Sequence, residues 1–511
     1  MYAFTIYCVM CLLLQNAESK VIDDNFFKLR NEIIKLETQN SIGGHLKLNK
    51  DEILANDILM QWKRKEVDEG FNNPQNFNFS KHYFAYKNDI EASETYQIIR
   101  KMPKGAALHI HSSYMVDADG LLELTYEDPD HLYICYNESA LKLHFSVATP
   151  QIPCTTNWIL LRELRRSVRD ISYFDEGLKK HFTLFREDEK AEHLDINSVW
   201  KNFEMVHGAI KSLISYKPVR EKFIYKALQK FYEDNIMYIE MRSGLNMLYE
   251  LNGTIHDKLY MVKLYKDVVD RFIQEHPDFV GFKIILAGYR GADEVKVRKY
   301  LEQAKQFKAE YPEIFAGFDL VAQEDLGRPL KDFEAVLLEY KDEIDYYFHC
   351  GETNWFGTST DENLIDAVLL GTKRIGHGYA LLKHPGLLNV VSQKGIPLEV
   401  NVISNAVLAL VSDIRNHPLA TYMALGMPVV LSSDDPGAWG ADPLSHDFYV
   451  TFVGVASKKY DLRLLKQLAM NSITYSALDG QGKANLMKIF YKQWDEFIHY
   501  VLATCSTKYV I

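Results

Sequence analysis

Residues 106–111 read Ala106-Ala107-Leu108-His109-Ile110-His111, an apolar run that closes on two histidines. Alternate residues of a β-strand point to one face, so His109 and His111 can share one ion. Such a pair alone is weak, because metal sites need three or four converging groups. Two later stretches supply the others. Tyr346-Tyr347-Phe348 runs into His349-Cys350-Gly351-Glu352, and Val429-Val430-Leu431 runs into Ser433-Asp434-Asp435-Pro436. His109, His111, His349 and Asp434 then stand at the ends of three short apolar strands. Chemistry gathered at the C-terminal ends of parallel strands is the signature of a (β/α)8 barrel.

Working outward, eight such strands are predicted near residues 106–111, 236–242, 280–286, 315–321, 345–350, 373–377, 396–401 and 428–433. Helical patterns separate most of them, as an α/β barrel of parallel strands requires. The interval between the first two is too long for one helix, so an insert is expected over residues 125–183. Its basic stretch, Arg162, Arg165, Arg166 and Arg169, reads as a solvated helix face in preference to a binding surface. Residues 20–97 form a helical arm. Phe26, Leu29, Ile33 and Leu36 recur at helical spacing before Ser41-Ile42-Gly43-Gly44, and a second helix carries Ile53, Leu54, Ile58 and Trp62. The barrel occupies residues 98–511 apart from the insert, and a last helix carries Leu486, Phe490, Trp494, Phe497 and Val501.

A chain of 511 residues, 47% hydrophobic, can bury a barrel with additions. Its 69 acidic and 58 basic residues leave a net charge of -11, which argues against nucleic acid as a partner. Residues 1–19 read as a signal peptide. Tyr2 to Leu14 is apolar but too short to span a bilayer, and Ala17-Glu18-Ser19 offers small residues for cleavage. No later segment is apolar enough to cross a membrane, so the expected location is extracellular. Cys8 and Cys11 fall in the signal. Cys135 and Cys154, close together in a loop-rich region, are paired as a disulfide. Cys350 is expected to be a buried free thiol, and Cys505 is left unassigned. Sequons at Asn78, Asn137 and Asn252 agree with secretion.

Three histidines and a carboxylate suit one zinc ion per chain, with a position open for water that the metal acidifies. Glu352, three residues past His349, is placed to give a proton to a substrate ring nitrogen. His377, between two glycines at the end of the sixth strand, can orient the water or take its proton. Asp435 beside Asp434 is costly unless a cation or donor lies between them.

Met102-Pro103-Lys104-Gly105 before His-x-His, then His349-Cys350-Gly351-Glu352-Thr353-Asn354-Trp355, Arg374-Ile375-Gly376-His377-Gly378, Ile403-Ser404-Asn405 and Ser432-Ser433-Asp434-Asp435-Pro436 closely resemble the secreted adenosine deaminases, the type 2 enzymes and adenosine deaminase-related growth factors. The resemblance covers nearly the whole mature chain. It implies hydrolytic deamination of adenosine or 2′-deoxyadenosine. His109, His111, His349 and Asp434 would hold zinc, Glu352 would protonate N1, His377 would assist attack at C6, and Asp435 would bond N7. Trp200 would close over the nucleoside, although a core tryptophan on a helix reads equally well. The arm would make a homodimer. The insert would be a receptor-binding domain, taking a cell-surface receptor or a glycosaminoglycan.

Three positions depart from the family. Ser112 stands where an acidic residue contacts the ribose. Ala322 stands where a glycine lets the backbone approach the purine, so its methyl is expected to crowd the ring. Gly288-Tyr289 replaces an Asp-His pair. Ribose and purine contacts are therefore expected to differ while the metal and proton-transfer set is complete. Two competing readings follow: a growth-factor-like ligand with weak or lost deaminase activity, and a metal hydrolase of another purine nucleoside or nucleotide.

Overall fold

The computed structural model describes residues 22–138, 140–185 and 195–505. The signal peptide expected over 1–19 and Ser139, third residue of the Asn137 sequon, lie outside them. Eight parallel strands make a closed barrel: β1 (Gly105–His111), β2 (Ile236–Ser243), β3 (Gly281–Tyr289), β4 (Phe315–Val321), β5 (His349–Cys350), β6 (Ile375–His377), β7 (Leu398–Asn401) and β8 (Val429–Ser432). They hydrogen-bond as two four-stranded parallel sheets, β1 to β4 and β5 to β8. Single bridges between Ile110 and Asp434 and between Phe318 and Tyr346 join the sheets at both seams. β5 is shorter than the 345–350 predicted. A Cβ on Gly317 would lie 2.1 Å from the Asp345 carbonyl oxygen. The chain before β5 thus passes β4 so closely that only glycine fits there, and Tyr346 pairs with Phe318 as an isolated bridge.

Branched apolar side chains usually fill a barrel of this kind. Here one layer is ionic. Glu240 and Arg242 alternate along β2, Asp319 sits in β4, Glu399 in β7, and Arg374 just precedes β6; none is more than 1% exposed. Arg242 donates from Nε to Asp319 at 2.7 Å and from Nη2 to Glu399 at 2.6 Å. Arg374 donates to Glu240 at 2.6 Å and, through Nε, to the second oxygen of Glu399. Each buried carboxylate thus faces a guanidinium, without which its desolvation would be prohibitive.

Between β1 and β2 lies an antiparallel sheet of Leu132–Asn137, Ala140–Phe145 and Ile159–Leu160, followed by two short helices. A disulfide joins Cys135 and Cys154. The basic stretch there does not form one solvated face. Arg165 is buried, donates to Asp175 at 2.9 Å and lies over the Tyr126 ring. Helices α1 (Ile22–Asn40) and α2 (Lys50–Asn72) precede the barrel. α2 packs on it through Ala55, Ile58 and Leu59, and its Glu52 accepts from the Trp494 indole at 2.8 Å. By contrast Phe26, Phe27, Ile33 and Leu36 of α1 are exposed. Leu486, Phe490, Trp494, Phe497 and Val501 are all buried, and so is the Cys350 thiol. No helix among the described residues is long and apolar enough to cross a membrane.

Arg374→Met would leave Glu240 and Glu399 buried without their shared partner. Breaking such a pair costs about 3–5 kcal/mol. The expected outcome is a clearly lower denaturation midpoint. An unchanged midpoint would show that the ionic layer is not structural.

Candidate active site

At the C-terminal mouth of the barrel, four side chains from three strand ends aim at one point. His109 Nε2 lies 3.1 Å from His349 Nε2 and 3.3 Å from Asp434 Oδ1. His111 Nε2 lies 3.3 Å from His349 Nε2 and 3.1 Å from Asp434 Oδ1. The other ring nitrogens of two of these histidines are already engaged. His109 Nδ1 donates to Glu399 at 2.7 Å, and His349 Nδ1 donates to Asp319 at 2.6 Å. Burial favours neutral Glu399 and Asp319, but it is outweighed. Arg242 and Arg374 hold Glu399 well below the carboxylate range, and His349 with Arg242 does the same for Asp319. Both Nδ1 atoms therefore keep their protons, and two Nε2 lone pairs confront each other across 3.1 Å. Burial takes His349 down to about 3, so protonation does not relieve the clash at neutral pH. Asp434 Oδ1 is buried without a hydrogen-bond donor. The set fits a divalent cation, and its nitrogen-rich donors suit zinc better than magnesium or calcium.

Beside it stand the two groups read as proton-handling. Glu352 follows β5 on a turn held by Glu324, which accepts from the amides of Gly351 at 3.1 Å and Glu352 at 2.7 Å. Gly351 has φ +74°, and a Cβ there would meet Leu364 at 2.7 Å, so the turn requires glycine. Burial, then the charges of Asp434 and Glu324, push the Glu352 carboxyl well above its usual range. Its Oε1 is 3.4 Å from His377 Nδ1. Asp435 is likewise pushed up, by burial and then by Asp434 and Glu352.

His377 is set by a relay. His417 Nδ1 accepts from the Leu419 amide at 3.0 Å, so its Nε2 carries the proton and donates to Asn405 Oδ1 at 3.0 Å. The Asn405 amide then donates to His377 Nδ1 at 3.2 Å. Burial keeps His377 neutral, so its proton resides on Nε2, 3.8 Å from Asp434 Oδ2. Of the two sequence readings of His377, this tautomer favours orienting the water.

A cavity of about 370 Å³ opens from this point. Ser112, Trp200, Ala322, Asp435 and Tyr289 all line it. Trp200, on helix α3 (Ile196–Leu213), is half-buried with its ring edge-on to Phe203. Ala322 has φ +100°, a conformation that L side chains rarely adopt. An alanine in that conformation carries backbone strain that a glycine would not. Asn78, Asn137 and Asn252 lie apart from the site. Asn137 and Asn252 are exposed, while Asn78 is half-buried in a short helical turn.

A family model for adenosine deaminase matches residues 184–493, and a model for the adenosine/AMP deaminase N-terminal region matches residues 6–99. The chain belongs to the adenosine deaminase family. It is similar to adenosine deaminase 2 of Homo sapiens, 43% identical over 475 residues and 92% of each chain. It is also similar to the adenosine deaminase of Phlebotomus duboscqi, 40% identical over 488 residues, 95% of this chain and 94% of that one. Among solved structures, adenine deaminase from Arthrobacter aurescens aligns with a TM-score of 0.55 at 18% identity, covering 77% of this chain and 99% of that one. An amidohydrolase from Burkhoderia ambifaria, solved with bound zinc, gives 0.55 at 16% identity, covering 80% and 95%. At those identities the likeness is one of fold.

The site of this adenosine deaminase family member also uses residues that the sequence reading passed over. Asp319 and Glu399 were hidden because each is a single charge inside an apolar strand. A carboxylate at such a position is costly, and that cost was the available signal. Trp200, Glu204, His207 and Lys211 of α3 line the cavity together. Their spacing of four, three and four residues marks one helical face.

His349→Ala removes one of four converging ligands. Bound metal is expected to fall from about one ion per chain to a small fraction, measured by elemental analysis after dialysis. Full occupancy in the variant would remove His349 from the ligand set.

Proposed function

We propose that the chain is a secreted, zinc-dependent adenosine deaminase. Water replaces the amino group at C6 of adenosine or 2′-deoxyadenosine, giving inosine or 2′-deoxyinosine and ammonia. The observation that carries the reading is the convergence of three imidazole nitrogens and a carboxylate beside a carboxyl group held protonated by its surroundings. His109, His111, His349 and Asp434 hold the zinc. The ion supplies Lewis acidity, which makes water an effective nucleophile near neutral pH.

The remaining roles belong to the chain. Glu352 arrives protonated and donates to N1 of the purine, drawing electron density away from C6. His377 presents its Nε2 proton toward the metal-ligand side and orients the attacking oxygen. Asp435, also pushed toward its neutral form, donates to N7, a ring atom that can only accept. Trp200 closes the cavity over the nucleoside. Ser112 offers the ribose a neutral hydroxyl in place of a charged acceptor, a weaker bond by roughly 1 kcal/mol. Growth-factor activity and docking of a receptor or glycosaminoglycan through the insert are further functions for which the same fold leaves room. The intact Glu352 and His377 favour the enzyme, since a pure ligand has no need of a proton donor at its metal.

Glu352→Gln keeps the side chain's shape and removes its exchangeable acid. Metal content is expected to stay normal while kcat falls by roughly two to four decades. Loss of metal instead would make Glu352 a ligand. Adenosine conversion is followed by the change in ultraviolet absorbance.

The exposed Phe26, Phe27, Ile33 and Leu36 of α1 support a homodimer through the arm, since a contiguous apolar stripe calls for a cover. Light scattering should give twice the chain mass for the full-length protein and a single mass after removal of α1. A monomeric full-length chain would refute the dimer.

A further inference from the structure

Two groups that touch the site hang from one short buried helix, α4 (Val402–Val407), which follows directly on β7. Ser404 donates to Asp434 Oδ2 at 2.8 Å, and Asn405 donates to His377 Nδ1 at 3.2 Å. A converging carboxylate and the histidine beside it are thus both held by the first turns of α4. A helix of six residues has little stability of its own, so other groups must fix it.

Its leading residue does not. Asn401 occupies the position whose side chain normally takes an amide of the first turn, yet it makes no such bond, and both of its amide atoms are buried without a partner. The acceptor comes from 44 residues beyond Ile403. There Asp447 Oδ1 accepts from the Ile403 amide at 3.1 Å. Asp447 is fully buried on α5 (Ser445–Tyr449), and its Oδ2 has no hydrogen-bond partner. A buried carboxyl without a counter-ion is costly, and what this one gains is contact with α4. Burial pushes it well above the usual range, and its neutral form still offers an acceptor oxygen. The helix that carries it is anchored in turn. Asp234, just ahead of β2, accepts from the amides of Leu444 and Ser445 at 2.8 and 3.0 Å. The buried Lys104, just ahead of β1, lies 3.4 Å from the Asp234 carboxylate. Lys104 of the Met-Pro-Lys-Gly motif is thereby connected to the mouth of the barrel.

We propose that Asp447 is a positioning residue for the deamination, capping α4 and so holding Ser404 against Asp434 and Asn405 against His377. The proposal rests on the deaminase reading. A shift of about 1 Å in a group next to the chemistry can cost roughly a hundredfold in rate, even when the change that causes it is remote.

The test compares zinc-loaded, full-length native protein with Asp447→Ala and Asp447→Asn, with rates on adenosine normalised to bound metal. Asp447→Ala removes the acceptor. Its kcat is expected to fall at least about tenfold, with KM within about threefold and zinc retained, since no ligand is lost. Asp447→Asn keeps an oxygen in place and should return kcat to within about threefold of native. In an Asn405→Ala background, Asp447→Ala should lower kcat by a smaller factor than in the native one, because the two share a path. Native kcat in Asp447→Ala, a loss that Asn does not restore, or equal factors in both backgrounds overturns the proposal. Should Asp447→Ala fail to fold, Asp447→Glu carries the comparison, since it moves the acceptor by one methylene. Its kcat should fall at least about threefold, and a native kcat overturns the proposal. Hydrogen–deuterium exchange over residues 402–407 gives a readout independent of turnover. These amides should exchange at least about tenfold faster in Asp447→Ala and at the native rate in Asp447→Asn, and native exchange in Asp447→Ala overturns the proposal. A native protein that leaves adenosine unchanged sinks the deaminase reading instead, and the exchange rates then decide whether Asp447 holds α4.

Discussion

The interaction on which the rest depends is the pair of hydrogen bonds from His109 to Glu399 and from His349 to Asp319. Each fixes a ring and a tautomer, and together they force two lone pairs toward one point. Buried carboxylates can do this only if they remain ionised, and Arg242 and Arg374 ensure that they do. The barrel has therefore exchanged part of its apolar filling for an ionic layer that serves the mouth above it. Burial opposes the charges, paired guanidinium groups restore them, and the balance is expressed as ligand orientation.

The same low-dielectric environment acts oppositely on neighbouring acids. Asp434 accepts from the Ser404 hydroxyl at 2.8 Å and, against burial, is held well below its usual range by the imidazoles around it. Glu352 and Asp435 lack such donors and are pushed the other way. Three carboxyl groups within one small volume are thus sorted into one anion and two acids. That sorting allows a ligand, a proton donor and a hydrogen-bond donor to be built from a single functional group.

Much of this was legible in the sequence, because each barrel strand is a short apolar run and several end in a chemical group. His109, His111, His349 and Asp434 were readable from strand period and position. β5 was read too long, since apolar residues 346–348 look like strand whether or not they pair along their length. The ionic layer was not legible, because pairing of Glu240 with Arg374 or Asp319 with Arg242 is a property of barrel closure and not of neighbours in the chain. The inward turn of Arg165 escaped notice for a similar reason: its partners Asp175 and Thr125 lie elsewhere in the fold. The cavity-facing stripe of α3 was visible in principle, but without the barrel opposite it only Trp200 stood out.

The seam between β1 and β8 is closed by reciprocal backbone bonds, His111 N to Asp434 O and Asp434 N to His109 O, both 3.0 Å. Those two segments lie near opposite ends of the chain. During synthesis the first two histidines emerge roughly half a minute before the aspartate that completes their set, at ordinary elongation rates. The ligand cluster is therefore a late product of assembly. Until the last strand docks, the exposed imidazoles can engage metal only loosely, and the high sequence separation of the closing contacts makes that docking slow. The converging set of side chains is therefore complete only once the last strand has closed the barrel, so the geometry of the site and the closure of the fold depend on the same two backbone bonds.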